Sequence, residues 1–294
     1  MKRKRTMLGL CCWAFGMGLG WAGDFPAPPL DKPGWKLTFD DEFDRPQLND
    51  MYWYPAYRSG RKEYFKRIGV KSRWTDPNAY TVIADGVLKL RIDEKLPFRT
   101  NKTDQCVSCL TTSDHRFGAS TNEVQILDKF AQKYGWFEIR AKCAKGEGLL
   151  NAFWLHQHDP NKQEYTPDGK RKSIADGSVE IDIVEQQGRY IGKTVSKVDL
   201  NVHFTKDGHY LYPAPIDASA GFHVWALEWQ EGQLSWYLDG KVIKTYKGPT
   251  PQEKMFILLA LFQYSGWIGT IDPNLTYPRD FEIDYVRVYE KNAL

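Results

Sequence analysis

Glu180-Ile-Asp-Ile-Val-Glu185 sets three carboxylates and three apolar residues in an order that decides how this part of the chain folds. Alternate side chains of a β-strand share a face, so Glu180 and Asp182 project together while the isoleucines between them point into a core. Strict alternation would turn Glu185 to the opposite face. We predict a β-bulge around Ile183-Val184, because one extra residue re-aims the next side chain. The segment is therefore predicted to be a bulged strand with one buried face and one carboxylate face.

Carboxylates that share a strand face repel one another and do not stabilise an ordinary sheet. The same crowding raises the pKa of at least one carboxyl, and a general acid that works near neutral pH needs a raised pKa. The alternative is a solvated strand face that happens to be acidic. The six residues alone do not separate these interpretations, so the flanking sequence has to decide.

Strand signals dominate the rest of the chain. Short apolar and β-branched runs such as Val87-Leu-Lys-Leu-Arg-Ile92 are separated by turn residues, and no segment keeps a 3.6-residue period over a helical length. Asp85-Gly86, Asp207-Gly208 and Asp239-Gly240 are typical of tight hairpin turns. The pattern predicts an all-β fold: one antiparallel β-sandwich domain over residues 23–294.

Six further blocks flank the carboxylate strand. They are Asp41–Phe43, Tyr134–Lys142, Gly146–Leu155, Phe222–Trp229, Trp236–Gly240 and Asp284–Tyr289. In this order, from about residue 35 to about residue 290, they resemble glycoside hydrolase family 16, and the E-x-D-x-x-E spacing is similar to its laminarinase-like branch. The resemblance implies a concanavalin-like β-jelly roll with a concave glycan-binding cleft.

The resemblance also implies roles for the three carboxyl groups. Glu180 would be the nucleophile, Glu185 the acid/base, and Asp182 the residue that orients and tunes them. Two glutamates on one strand face fit the carboxyl separation of about 5–5.5 Å that retaining glycosidases use. The expected activity is that of a retaining endo-β-glycosidase on a glucose- or galactose-containing polysaccharide or O-glycan. A sugar-binding lectin on the same fold is the alternative, but a lectin has no use for two glutamates at this spacing.

Four residues are candidates for sugar contacts by the same resemblance: Trp154, His203, Trp267 and Asn78. Aromatic rings stack on the apolar faces of pyranose rings, whereas most tryptophans and lone histidines of a β-sandwich are structural. For Trp154, Trp267 and His203 the alternatives are therefore core packing and a structural histidine.

The substrate stays open at this level. The chain departs from the laminarinase pattern at Leu150-Asn151 and at Phe262–Trp267, both predicted to lie near the cleft. Arg58 to Arg73 holds seven basic residues and one acid. This stretch is either a solvated loop or a clamp for sulfated or acidic sugars, since arginine forks match sulfate and carboxylate oxygens. A neutral β-1,3-glucan and a sulfated galactan both remain candidates.

A structural calcium on the convex side is a further implication of the resemblance. Glu42 and Asp284 match its carboxylate ligands, with the Gly86 carbonyl as a third ligand, and hard oxygen donors suit calcium. The alternative is two ordinary surface carboxylates. The expected chemistry needs no cofactor.

The first 22 residues read as a signal peptide. Met1-Lys-Arg-Lys-Arg5 precedes an apolar run from Met7 to Trp21, with cleavage expected after Ala22. The protein is therefore expected to be secreted or periplasmic. Lipid attachment at Cys11 or Cys12 is disfavoured by the preceding Leu10.

Charge and hydropathy exclude two further classes of partner. The formal net charge is +3, and the first 22 residues carry four positive charges and no acids, so their removal leaves about −1. This balance argues against nucleic-acid binding. No apolar stretch is long enough for a membrane span. We expect a monomer that acts on a glycan.

Overall fold

The computed structural model describes residues 23–55, 81–93, 106–117, 124–157, 179–205 and 208–292. The segment 1–22, the basic stretch from Arg58 to Arg73, and Asn78 lie outside the described residues, as do the side chains at positions 106, 114–117 and 124–127. The predictions that concern them stay predictions.

Regular structure in the described part is almost all β. The strands are β1 Trp35–Asp41, β2 Thr81–Ala84, β3 Val87–Ile92, β4 Cys106–Thr111, β5 Ser113–Phe117, β6 Val124–Asp128, β7 Gly135–Lys142, β8 Leu149–Gln157, β9 Glu180–Gln187, β10 Ser196–Asp199, β11 Leu211–Ala214, β12 His223–Gln230, β13 Gln233–Leu238, β14 Lys241–Lys247, β15 Met255–Gln263 and β16 Arg279–Lys291. A three-residue 3-10 turn, Gly188–Tyr190, follows β9. No helix in these ranges is long and apolar enough to cross a membrane.

The strands form two large antiparallel sheets. The order in the eight-stranded sheet is β14-β13-β12-β7-β16-β3-β2, with β1 also paired to β16. The six-stranded sheet has the order β11-β10-β9-β8-β15-β4, and β5 and β6 form a separate hairpin. The predicted all-β sandwich is confirmed. The carboxylate strand β9 lies inside the six-stranded sheet between β8 and β10, where both of its edges are paired.

The hairpin turns that fall on described residues have the predicted geometry. Asp85 and Gly86 join β2 to β3 with φ of 55° and 73°, and Asp239 and Gly240 join β13 to β14 with φ of 50° and 77°. Two successive positive φ values match the right-handed twist of the flanking strands, and Asp-Gly adopts them at little cost. The Asp207-Gly208 turn is only partly described.

The core lies between the two sheets. Ile181 and Ile183 of β9 pack in one apolar cluster with residues of the opposite sheet such as Trp225, Trp229 and Trp236. These tryptophans are at most 1% exposed, so each belongs to the core and not to a sugar site. Burying one face of β9 in this core obliges its other face to carry the carboxylates.

Candidate active site

The register of β8 and β9 skips one residue, Ile183. Trp154 lies opposite Asp182, whereas the preceding Phe153 lies opposite Val184. The skipped residue is the predicted bulge, which is therefore confirmed in β9. Its effect is to return the last glutamate of the motif to the face that carries the first two carboxylates.

All three carboxyl groups of the motif lie on that one face. On β8, His156 lies opposite Glu180, Trp154 opposite Asp182, and Ala152 opposite Glu185. These neighbours are two residues apart, so they share a face, and residues directly opposite one another in an antiparallel pair share it too. The sheet thus presents a row of carboxyls in the order Glu180, Asp182 and Glu185.

Asp182 is the most enclosed of the three, with a side chain 1% exposed. Its backbone N–H donates to the Asn201 carbonyl at 2.9 Å. Its carbonyl accepts the indole N–H of Trp236 at 2.8 Å, and Trp236 belongs to the opposite sheet. The indole bond passes through the core and anchors the strand next to its bulge. Asp182 is thus positioned to orient its neighbours and not to contact substrate broadly.

His203 lies over the first two carboxyls. Its Nε2 is 2.8 Å from Asp182 Oδ2 and 3.8 Å from Glu180 Oε1, and its side chain is 33% exposed. His203 thus contacts the motif, whereas its predicted contact with a sugar stays a prediction. These three side chains bring ligand-type atoms within 4.8 Å of one another. The short imidazole–carboxylate hydrogen bond accounts for that closeness, and we assign no metal to it.

The pKa values of Asp182 and Glu185 are both raised by their surroundings. Burial first, and the nearby Glu180 second, raise the pKa of Asp182 well above its ordinary value, and its carboxyl hydrogen-bonds that of Glu185. Burial, then Asp182 and Glu180, also raise the pKa of Glu185 well above its ordinary value. Asp182 Oδ1 is buried and accepts no hydrogen bond from another described donor group. Two carboxyls can hydrogen-bond only if one is protonated, so Glu185 is suited to donate a proton.

Two neighbours of the motif were missed by the sequence reasoning. Asn201 Nδ2 donates to Glu185 Oε2 at 3.1 Å. His156 Nδ1 donates to the Gln157 carbonyl at 2.8 Å, and its Nε2 lies 3.8 Å from Glu180 Oε2. The two-residue side-chain period of a strand would have predicted both, since His156 follows Trp154 by two residues and Asn201 precedes His203 by two.

The predicted aromatic contacts have different environments. Trp154 lies on the carboxylate face, but it is only 4% exposed and packs against the Phe262 ring at 6.1 Å between centroids. Trp267 is 49% exposed, in a turn closed by mutual backbone hydrogen bonds of Gly266 and Gly269. Its ring is the more accessible platform for a sugar. Sugar contacts by either residue, and by Asn78, stay predictions.

The predicted calcium ligands are engaged elsewhere. Glu42 accepts two hydrogen bonds from Arg287, at 2.6 and 2.9 Å, and Asp284 accepts one from Arg140 at 3.0 Å. Gly86 lies in the turn between β2 and β3. Calcium binds oxygen ligands whose negative charge balances its own. Because guanidinium groups already balance both carboxylates, this donor set does not fit a calcium ion, and these contacts do not support the predicted site.

Glu185→Gln is expected to raise the unfolding temperature at neutral pH. The folded state raises the pKa of Glu185, so between the unfolded and folded pKa values it binds more protons than the unfolded state. The free energy of unfolding therefore falls as pH rises through that window, by about 1.36 kcal/mol for each unit of pKa elevation. Glutamine removes this penalty.

Calorimetry between pH 4 and pH 8 checks this expectation. The variant should gain several degrees at pH 8, since about 1 kcal/mol shifts the melting temperature by roughly 2–4 °C in a domain of this size. The gain should vanish near pH 4, where Glu185 is protonated in both states. A temperature difference independent of pH would contradict the raised pKa.

Comparison with known proteins identifies the family. The family model described as Glycosyl hydrolases family 16 matches residues 71–287. A β-glucanase of Brevibacillus brevis is 27% identical over 248 residues, which cover 80% of each chain. The endo-1,3-1,4-β-glycanase EglC of Rhizobium meliloti is 24% identical over 90% of this chain and 54% of its own length. A glucan endo-1,3-β-glucosidase of Niallia circulans is matched over only 26% of its length. The chain thus spans about a quarter of the length of the Niallia relative and about half the length of EglC.

Solved structures agree on the fold. A GlcNAcα1-4Gal-releasing endo-β-galactosidase from Clostridium perfringens superposes with a TM-score of 0.69 at 24% identity, over 91% of this chain and 65% of that one. The catalytic domain of an endo-1,3-β-glucanase from Thermotoga petrophila superposes with a TM-score of 0.63 at 22% identity, over 88% and 99%. At these identities the likeness establishes the architecture alone.

Proposed function

The chain belongs to glycosyl hydrolases family 16 and is a glycoside hydrolase, and we propose that it cleaves internal β-linkages of a glycan with retention of configuration. One observation carries this proposal: the bulge in β9 directs Glu180, Asp182 and Glu185 to one face, where burial raises the pKa of Glu185. A lectin on this fold would need neither the bulge nor a carboxyl with a raised pKa. Of the two functions, enzyme and lectin, the enzyme is therefore better supported.

The two glutamates divide the chemistry between them. Glu185 donates its proton to the glycosidic oxygen as the bond to the anomeric carbon breaks, and Glu180 attacks that carbon to form a glycosyl ester. Glu185, now ionised, takes a proton from water, which attacks the anomeric carbon and releases Glu180. Both displacements use side chains of this chain, so the proposed mechanism needs no cofactor.

Asp182 and His203 support both steps. When Glu185 gives its proton to the glycosidic oxygen, the charges of Asp182 and Glu180 beside it favour its taking a proton back from water in the second step. The His203 imidazole hydrogen-bonds Asp182 at 2.8 Å and lies 3.8 Å from Glu180, so it holds the Asp182 carboxyl in place beside the nucleophile. We therefore assign Asp182 a role in tuning both glutamates.

The substrate class follows from the relatives and remains broad. The curated relatives named above are a β-glucanase, an endo-1,3-1,4-β-glycanase and a glucan endo-1,3-β-glucosidase, whereas the superposed Clostridium structure is an endo-β-galactosidase. We propose a glucose- or galactose-containing polysaccharide or O-glycan, met outside the cytoplasm after removal of residues 1–22. A panel of laminarin, lichenan, agar, carrageenan and mucin O-glycans separates these classes by the release of reducing ends.

Retention gives a direct test of the mechanism. Proton NMR during early hydrolysis of the best panel substrate should show the β-anomer of the new reducing end first, and the α-anomer only later through mutarotation. Two inversions at one carbon leave the configuration unchanged, which is the reason for this order. An α-anomer as the first product would overturn the double displacement.

A further inference from the structure

A fourth carboxylate stands beside the acid/base. Asp199 of β10 lies directly opposite Glu185 of β9 in the antiparallel register. Directly opposed residues share a sheet face and bring their side chains into contact range. The Asp199 side chain is 3% exposed, so it lies beneath the cleft surface and does not bind substrate itself. Its position adds one carboxylate on β10 next to the row on β9.

Hydrogen bonds fix this carboxylate in place. Gln187 Nε2 donates to Asp199 Oδ2 at 2.9 Å, and His209 Nε2 lies 3.3 Å from Oδ1. Arg189 Nε donates to Gln187 Oε1 at 3.0 Å, which orients the amide toward Asp199. Burial raises the pKa of Asp199, while Gln187, His209 and Arg189 favour its ionised form. Three neighbours thus compensate a charge that the sheet alone would not tolerate.

Carboxyl groups that share one enclosed site resist simultaneous ionisation, because their negative charges repel one another. Burial raises the pKa of Glu185 most, Asp182 and Glu180 raise it further from the same strand, and Asp199 adds a smaller contribution from β10. His203 opposes them, whereas Ala152, the neighbour on β8, carries no charge. Asp199 is the one carboxylate in this described set that has no part in the proposed displacement.

We propose that Asp199 is a positioning residue whose fixed negative charge, opposite Glu185, keeps the proton on the acid/base in the resting enzyme. The inference rests on the proposed function, in which Glu185 is the proton donor. Ionisation of Glu185 beside an ionised Asp199 would place two charges in adjacent sheet positions. The enzyme therefore retains its acid form to a higher pH than the motif on β9 alone would allow.

Asp199→Asn tests the charge with little change of shape. The pH profile of kcat/KM is measured on the most rapidly cleaved of laminarin, lichenan, agar and κ-carrageenan. Its basic limb reports the acid of the free enzyme. Removing one negative charge favours ionised Glu185, so the basic limb should move down by roughly one pH unit, with the acidic limb unchanged. At a pH above both limbs, kcat/KM of the variant should be about tenfold below that of the wild type.

Two variants separate this role from a structural one. Asp199→Glu keeps the charge and should keep the basic limb near its wild-type position. Asp31→Asn makes the same chemical change at an exposed residue of the segment that packs on the other sheet, and it should leave the profile unchanged. If Asp199→Asn does not fold cooperatively, Asp199→Ser carries the same expectation with a smaller side chain.

The proposal would be overturned if the basic limb stayed at its wild-type pH in Asp199→Asn and Asp199→Ser. It would also be overturned if Asp199→Glu moved the limb as far as Asp199→Asn does. The proposed function fails on different results: α-anomer as first product, or full activity without Glu180. A wild-type enzyme that retains configuration but shows no Asp199 effect would therefore reject only the role of Asp199.

Discussion

Glu180→Gln is expected to lower kcat by on the order of 10⁴-fold or more on any glycan that the wild-type enzyme cleaves, because an amide cannot form the glycosyl ester. The glutamine is nearly isosteric, and the hydrogen bond of His203 to Asp182 does not involve residue 180. Folding and oligosaccharide binding should therefore persist. Initial rates, circular dichroism and calorimetric titration with a substrate fragment measure the three properties separately.

Chemical rescue identifies Glu180 as the nucleophile and not as a binding residue. In Glu180→Gly, added azide should restore turnover of an activated aryl glycoside and give an α-glycosyl azide, since the small anion takes the place of the missing carboxylate. Glu290→Gln is the matched control, because Glu290 forms an exposed pair with Lys36 on β1. Exposed pairs contribute little, so this variant should stay within about twofold of wild type. Near-wild-type activity of Glu180→Gln would refute the catalytic assignment.

Glu185→Gln is expected to have the second largest effect, and the size should depend on the leaving group. A polysaccharide leaves as a poor alkoxide and needs the proton, so kcat/KM should fall by about 10²–10⁴-fold. A 2,4-dinitrophenyl glycoside leaves without protonation, so its first step should be nearly unaffected. The second step then limits turnover, because no base activates water.

Stopped-flow release of dinitrophenol tests this expectation. The variant should show a burst of one equivalent followed by a slow steady state, which azide accelerates with formation of a β-glycosyl azide. The wild type serves as the control on both substrates. Equal losses on polysaccharide and on aryl glycoside would assign Glu185 to binding or folding, and its place in the mechanism would be lost.

Local chemistry was enough to predict the strand and its bulge. The side-chain period of two decides which residues share a face, and only one inserted residue can bring Glu185 back beside Glu180 and Asp182. The Asp-Gly turns were predictable for the same kind of reason, since positive φ values are local properties of the residues that adopt them. Fold class and catalytic motif therefore follow from the sequence together with its resemblance to a known family.

Only the tertiary structure decided which side chains surround that motif. His156 and Asn201 reach it from β8 and from the segment after β10, and Trp236 reaches it through the core. Arginines pair with the carboxylates predicted to bind calcium, and the ring of Trp154, a candidate for sugar contact, is buried. The register of β9 against the next strand, β10, sets Asp199 opposite Glu185. Periodicity assigns a residue to a face, but packing of both sheets selects its neighbours, because pairing and burial are satisfied for the whole sandwich at once.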